Sequence, residues 1–252
     1  MIELAGKVVL VTGGSRGIGA ETVRRLARAG AEVVLHYGRS RGQAEAVAAE
    51  VGSTRCHLVS ADLEKPGAAD VLWHRALAWR GRIDVVINNA AIYEPAPLAG
   101  EPAAWSEAWR RTLQINLVAA ADLCRLAIAH YRGRGGGIIV NVASRAAFRG
   151  DAPDYMSYAA SKGGLIALTR TIARGFGKDG VIAYAIAPGF VGTEMADEYF
   201  AKFGKESVVR EIPLGEVAPV AEVANVIAFL ASGLARHASG TTIDVNGASY
   251  VR

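Results

Sequence analysis

The chain has 252 residues, 51% of them hydrophobic, with 29 glycines and a formal charge of +4. That much apolar material can fill one large α/β core, and the glycines allow many tight turns. The basic residues are dispersed, and the densest group, Arg125 with Arg132 and Arg134, is too sparse for a nucleic-acid patch, so an acidic ligand or carrier is the milder inference.

Lys7–Thr12 is a short apolar run of strand type, followed at once by Gly13-Gly-Ser15-Arg16-Gly17-Ile18-Gly19 and an Ala/Leu-periodic helix that stops at Gly30. Strand, glycine turn and helix form the context that a nucleotide-binding turn requires. The spacing here is Gly-x-x-x-Gly-x-Gly. Gly13 suits the tight turn, Gly17 the close approach to phosphates, and Gly19 the packing of helix on strand, with amides at the helix start free to bind pyrophosphate. The same glycines also fit a plain turn.

The second strand is Val33–Tyr37. A site for NAD wants an acid here, about 20 residues beyond the first glycines, to bond the ribose 2′-hydroxyl. Positions 36–40 read His-Tyr-Gly-Arg-Ser and carry none. Arg16 and Arg39 can instead meet a 2′-phosphate, which favours NADP(H) over NAD(H); otherwise both are solvated loop arginines.

A helix over 40–51 leads to a third strand, His57–Ala61, ending at Asp62-Leu63. A helix over 66–80 leads to a fourth, Ile83–Ile87, followed by Asn88-Asn89-Ala90-Ala91. A long helix over 102–132 carries Trp105, Trp109, Leu113, Leu117, Ala121 and Ile128. The fifth strand is Gly137–Val142, and Asp154–Leu165 opens the next helix. The sixth strand, Val181–Ala187, ends at Pro188-Gly189. A polar, charged segment (192–211), a helix over 219–232 and a last strand, Thr241–Val245, complete the chain.

Strands alternating with helices predict βαβ units, hence one doubly wound parallel sheet of about seven strands over residues 1–252. No repeat, low-complexity linker or composition break divides it. Ligands of such sheets bind at the carboxyl ends of the strands. The pattern places Gly13–Gly19, Asp62, Asn88, Ser144 and Pro188 at that common edge.

In the helix after the fifth strand, Tyr158 and Lys162 lie four apart and share one face. An ammonium beside a phenol favours phenolate and lowers the tyrosine pKa from its usual value of about 10, fitting it to pass a proton near neutral pH. A packing tyrosine beside a solvated lysine has the same spacing. Tyr155 is a useful contrast, since four residues on it meets only Ala159.

The only cysteines, Cys56 and Cys124, each sit in an apolar run and are expected to be buried free thiols, as suits a reducing cytosol. The five histidines show no ligand spacing, so no metal is expected. No basic segment leads into an apolar stretch at the start, and no apolar run reaches the ~18 residues of a membrane helix. The expectation is a cytoplasmic protein without nucleic-acid or membrane partners.

Together Thr12-Gly-Gly-Ser-Arg-Gly-Ile-Gly19, Asp62-Leu63, Asn88-Asn-Ala90, Asn116, Asn141-Val-Ala-Ser144, Tyr158-x-x-x-Lys162 and Pro188-Gly-x-x-x-Thr193 resemble, in order and over essentially the whole chain, the short-chain dehydrogenase/reductase family. Within it the chain is most similar to 3-oxoacyl-[acyl-carrier-protein] reductases. The resemblance implies that Tyr158 is the general acid toward a carbonyl oxygen and the base in reverse. Lys162 would lower the tyrosine pKa and bond the nicotinamide ribose, Ser144 would hold the substrate oxygen, and Asn116 would anchor a water relayed to Lys162. It further implies that Asp62 and Leu63 contact the adenine, Asn89 and Ala90 support the cofactor wall, Pro188 and Gly189 line it, and Thr193 reaches the carboxamide.

Ala91 and Tyr184 depart from the family's usual Gly and Asn, and the second change puts strand-end bonding in question. The loop between Ser144 and Tyr158 is slightly long. The substrate is expected to be a small carbonyl compound or acyl thioester, with 190–212 as the substrate-binding loop. An acyl carrier protein is acidic, so Arg132, Arg134 and Lys178 are candidates to meet it, or else ordinary surface charges. Dehydrogenases of a sugar, polyol, steroid or xenobiotic are the alternative. A cofactor-sensing protein without turnover is a third reading, disfavoured because Asn116, Ser144, Tyr158 and Lys162 are all present. The family also implies a homotetramer packed through the helices over 102–132 and 155–178.

Overall fold

Seven apolar runs become seven strands: β1 Val8–Val11, β2 Glu32–Tyr37, β3 Cys56–Ser60, β4 Val85–Asn88, β5 Gly137–Val142, β6 Val181–Pro188 and β7 Thr242–Val245. The computed structural model describes residues 2–252, apart from the side chains at 198, 202 and 203. All neighbouring strands pair in parallel, in the order β3-β2-β1-β4-β5-β6-β7. The order reverses between β1 and β4, and such a switch point opens a crevice at the strands' carboxyl ends.

A strand places alternate side chains on opposite faces. Val9, Val11, Val33, Leu35, Val85, Ile87, Val140 and Tyr184 therefore face one layer, formed by α1 Gly17–Arg28, α2 Arg41–Val51 and α10 Val220–Ser232. Val8, Leu10, Val34, Val86, Ile139 and Ala183 face the other, formed by α3 Ala68–Arg80, α5 Ala119–Tyr131 and α7 Met156–Phe176. With both faces covered, the central strands β1, β4, β5 and β6 are near-continuously apolar. Cys56 and Cys124 are buried, free thiols. Tyr184 is fully buried, and its hydroxyl donates to the Ala235 carbonyl at 2.8 Å, so the group that stands in for the usual Asn is itself paired.

The long helix is not uniform. α4 Pro102–Leu113 passes into α5 through a π-helical turn, Gln114–Val118. Contrary to the expectation from apolar runs, Pro102–Tyr131 is long and apolar enough, by length and composition, to cross a membrane. In this fold α5 packs on the sheet. The polar segment after β6 is helical too, as α8 Glu194–Phe203 and α9 Lys205–Arg210, while a short helix, α6 Ala146–Arg149, follows β5.

Candidate active site

At the carboxyl edge the glycine turn is held by three side chains. Thr12 Oγ1 accepts from the Asn89 and Ala90 amides (2.9 and 3.0 Å), and Asn89 Nδ2 donates to the Thr12 and Gly13 carbonyls (2.9 and 3.1 Å). The Gly13 amide donates to His36 Nδ1 at 3.2 Å, and His36 Nε2 donates to the Ala61 carbonyl at 3.0 Å. Burial pulls His36 down to about 4, so it is neutral at pH 7 with its proton on Nε2.

Gly13 has φ +63°, and a Cβ there would lie 2.9 Å from Ala90 Cα. A Cβ at Gly19 would overlap the Gly13 carbonyl oxygen. The turn is thus built for backbone to approach backbone, with α1 starting at Gly17 and offering its first amides to the cleft. That cleft, of about 900 Å³, is lined by Gly13, Ser15, Arg16, Gly17, Ile18 and Gly19 at one end and by Ser144, Tyr158 and Lys162 at the other. Arg39, Asp62, Leu63, Asn89, Ala90, Pro188, Gly189 and Thr193 also line it. A dinucleotide fits this cradle by its shape and amide donors.

Arg16 is ion-paired to Glu194 (2.7 Å), and Arg39 stands 3.8 Å from Glu64 with its side chain 82% exposed. Asp62 Oδ1 accepts from the Glu64 amide at 3.2 Å. Thr193 caps α8, its Oγ1 accepting from the Ala196 amide at 3.3 Å.

Tyr158 and Lys162 lie one turn apart on α7, and Lys162 is only 2% exposed. Its Nζ donates to the Val142 carbonyl at 2.7 Å and lies 5.6 Å from the centre of the Tyr158 ring. Burial pulls Lys162 down to about 7 and pushes Tyr158 up to about 12, with the Ser144 hydroxyl opposing the rise through a hydrogen bond. The expected lowering of the tyrosine pKa is therefore not what this site displays. The desolvation that would strengthen a lysine–phenolate pair first disfavours the lysine's own charge.

Ser144 Oγ also accepts from the Ala146 amide at 3.1 Å, the turn role that such a serine has by default. Asn116 is 1% exposed, within the π turn. Its Oδ1 accepts from the Ile92 amide (2.9 Å), and Nδ2 donates to the Ile92 carbonyl (3.0 Å) and to Ser161 Oγ (3.2 Å). Ser161 in turn donates to the Tyr158 carbonyl at 2.7 Å. Asn116 is thus tied to the Tyr158 turn through Ser161. Both its amide protons are used, so a relayed water cannot be held by them.

Comparison with known proteins reaches the whole of this arrangement. Residues 13–248 match the family described as enoyl-(acyl carrier protein) reductase. The chain is 35% identical over 251 residues to a 3-oxoacyl-[acyl-carrier-protein] reductase of Synechocystis sp., covering 98% of both chains. It belongs to the short-chain dehydrogenase/reductase family. It is also 36% identical over 249 residues to 3beta-hydroxysteroid dehydrogenase 1 of Eggerthella lenta (97% of this chain, 94% of that one). With 3-oxoacyl-[acyl-carrier-protein] reductase FabG of Staphylococcus aureus it shares 31% over 247 residues (97% and 98%). The protein is an oxidoreductase of this family, whose members use nicotinamide cofactors.

The cleft has a second wall, supplied by the chain that follows β4, β5 and β6. Tyr93 stacks on Tyr155 (3.9 Å between centres) and meets Tyr158 edge-on at 4.8 Å. Phe190 packs beside Tyr199 at 5.1 Å. Tyr93 donates to Asp151 at 3.1 Å, and Arg145 follows Ser144 under this wall. Sequence reasoning missed Thr12, His36, Tyr93, Arg145 and Ser161. Thr12 and His36 at least stand at strand ends on the predicted edge.

The basic trio offered for an acidic carrier lies away from this chain's own cleft. Arg132, Arg134 and Lys178 precede β5 and β6, where the Gly137 amide donates to Gly180 at 3.3 Å. In a parallel sheet the strand starts form the edge opposite the cleft. Arg132 is moreover paired to Asp179 at 2.9 Å.

Proposed function

We propose that the protein is an NADPH-dependent reductase of carbonyl compounds. The observation that carries this reading is the Ser144 hydroxyl beside a protonated Tyr158 phenol, at one end of a cleft whose other end is the glycine cradle. When bound, the reduced nicotinamide supplies hydride to the carbonyl carbon. Tyr158 gives its phenolic proton to the carbonyl oxygen, which becomes the alcohol, and Ser144 orients that oxygen. Burial that holds Tyr158 near 12 keeps the proton available at neutral pH, as a donor in the reductive direction needs. Lys162, near 7, releases a proton readily and can return one to the phenolate left behind. Asn116 fixes the turn carrying Tyr158. Gly13, Ser15, Gly17, Ile18 and Gly19 hold the pyrophosphate, Asp62 and Leu63 the adenine, and Pro188, Gly189 and Thr193 the nicotinamide side.

Two relatives are named as 3-oxoacyl-[acyl-carrier-protein] reductases, so acyl thioesters are the first substrates to try. The aromatic wall of Tyr93, Phe190 and Tyr199 also suits a bulky apolar ketone, and one relative is named as a steroid dehydrogenase. NADPH oxidation with acetoacetyl thioester and with a ketone panel tests the reading; binding of NADPH without turnover of any carbonyl would sink it.

The cofactor choice rests on the end of β2, where no carboxylate stands at 36–40 and Arg39 is exposed beside the cleft. Replacing Arg39→Ala is expected to lower the preference for NADPH over NADH by about tenfold or more, the worth of a charge-assisted contact to phosphate. Steady-state KM ratios for the two cofactors read this directly, and an unchanged ratio would remove Arg39 from the phosphate site.

A homotetramer through α4–α5 and α7 is part of the same reading. The Trp105 and Trp109 indoles lie 5.2 Å apart on α4, both with Nε1 buried and unpartnered. Light scattering is expected to give four times the chain mass; a monomer would refute it.

A further inference from the structure

Arg145 follows Ser144 and lines the same cleft, yet the proton transfer has no use for it. Its amide donates to the Pro188 carbonyl at 2.9 Å, which fixes its backbone between the ends of β5 and β6. The residue is 7% exposed, and its Nη1 is buried with no hydrogen-bond partner. One face of the guanidinium lies over Phe190, 4.7 Å from the ring centre.

The neighbouring charges are engaged elsewhere. Glu211 is paired to Arg149 at 3.1 Å. Asp151 Oδ1 accepts from Tyr93 (3.1 Å) and from the Ala152 amide (2.8 Å). Among the described residues no carboxylate forms an ion pair with Arg145. A buried guanidinium left this way is costly, and a cation–π contact offsets only part of the cost. A planar fork of donors that lines a substrate cleft without a carboxylate partner matches a carboxylate.

We propose that Arg145 is a specificity-determining residue that receives a carboxylate, so that the preferred substrate is an oxo acid whose carbonyl lies at Tyr158 and Ser144. This rests on the carbonyl reductase reading and narrows it. The charges acting on Arg145 are Arg149 on one side and Glu211 and Asp151 on the other, two carboxylates to one further cation, so a monoanion is favoured over a dianionic phosphate. A 3-oxoacyl thioester carries no charge at its reacting end and leaves Arg145 unanswered.

The test is NADPH oxidation with 4-oxopentanoate, 5-oxohexanoate and 6-oxoheptanoate against their methyl esters. At least one acid is expected to exceed its ester in kcat/KM. That acid-to-ester ratio should fall about 10- to 100-fold in Arg145→Met, the range of one charge-assisted hydrogen bond, and largely survive in Arg145→Lys. An equal ratio in wild type and Arg145→Met overturns the proposal, as does an effect confined to the KM for NADPH. Calorimetric titration of hexanoate into the NADPH-loaded protein reads the site without turnover. Binding that depends on Arg145 while no carbonyl is reduced would keep the anion site and sink the reductase reading. Hexanoate binding that is absent, or equal in both proteins, overturns the anion site.

Discussion

Replacing Tyr158→Phe is expected to lower kcat/KM for carbonyl reduction by about 10²- to 10⁴-fold, the usual worth of a positioned general acid. The change removes one oxygen and keeps the ring, so the edge contact with Tyr93 at 4.8 Å and the helix around it persist. Ser144 keeps its bond from the Ala146 amide, and the glycine cradle lies at the far end of the cleft. Affinity for NADPH, read by fluorescence titration, should therefore change little while turnover collapses. With the phenol pushed up to about 12, the wild-type reductive rate should not lose its donor as pH rises through 7 to 10. A variant keeping more than about a tenth of wild-type turnover would show that another group delivers the proton.

The strands were legible because parallel sheets buried on both faces demand near-continuous apolar runs, and these end at glycines, asparagines and proline at one edge. β5 falls at Gly137–Val142 as its apolar run predicts, and the other strands shift by only a residue or two. The π turn at Gln114–Val118 was not legible, since its cause lies across space: Asn116 must reach the Ile92 backbone and Ser161 together. The helicity of 194–210 was hidden by its charge, although Thr193 has the residue type of a helix cap.

Among the site residues, spacing along α7 brought Tyr158 and Lys162 to one face, but it says nothing of depth. Depth decides the electrostatics, because burial takes Lys162 down to about 7 before it can act on the tyrosine. Arg145 reads in sequence as another loop arginine, and only packing against Phe190 makes it a buried, unpaired charge. Likewise the sequence does not tell that the sheet sets Arg132 and Arg134 at the edge away from the chain's own cleft.

Lys162→Met should abolish turnover and yet stabilise the protein at neutral and acid pH. The lysine's folded pKa is about 7 against 10.5 for the ordinary group, so below pH 7 the fold carries a buried ammonium that water would hold more cheaply. At about 1.4 kcal/mol per unit this penalty is on the order of 3–5 kcal/mol. Methionine removes it but leaves the Val142 carbonyl without its 2.7 Å donor, a loss of about 1–3 kcal/mol, and a gain of about 1–3 kcal/mol remains at pH 6. The sign follows from proton counting. Between pH 7 and 10.5 the unfolded lysine is protonated and the folded one is not, so wild-type stability rises with pH relative to the variant. The advantage of methionine should accordingly shrink through that window and reverse near its upper end. Urea denaturation of both proteins at pH 6, 8 and 10 reads the difference with other titrations cancelling. A difference that is flat with pH would mean that Lys162 keeps its proton in the fold, and that its charge bears on Tyr158 from within the folded chain.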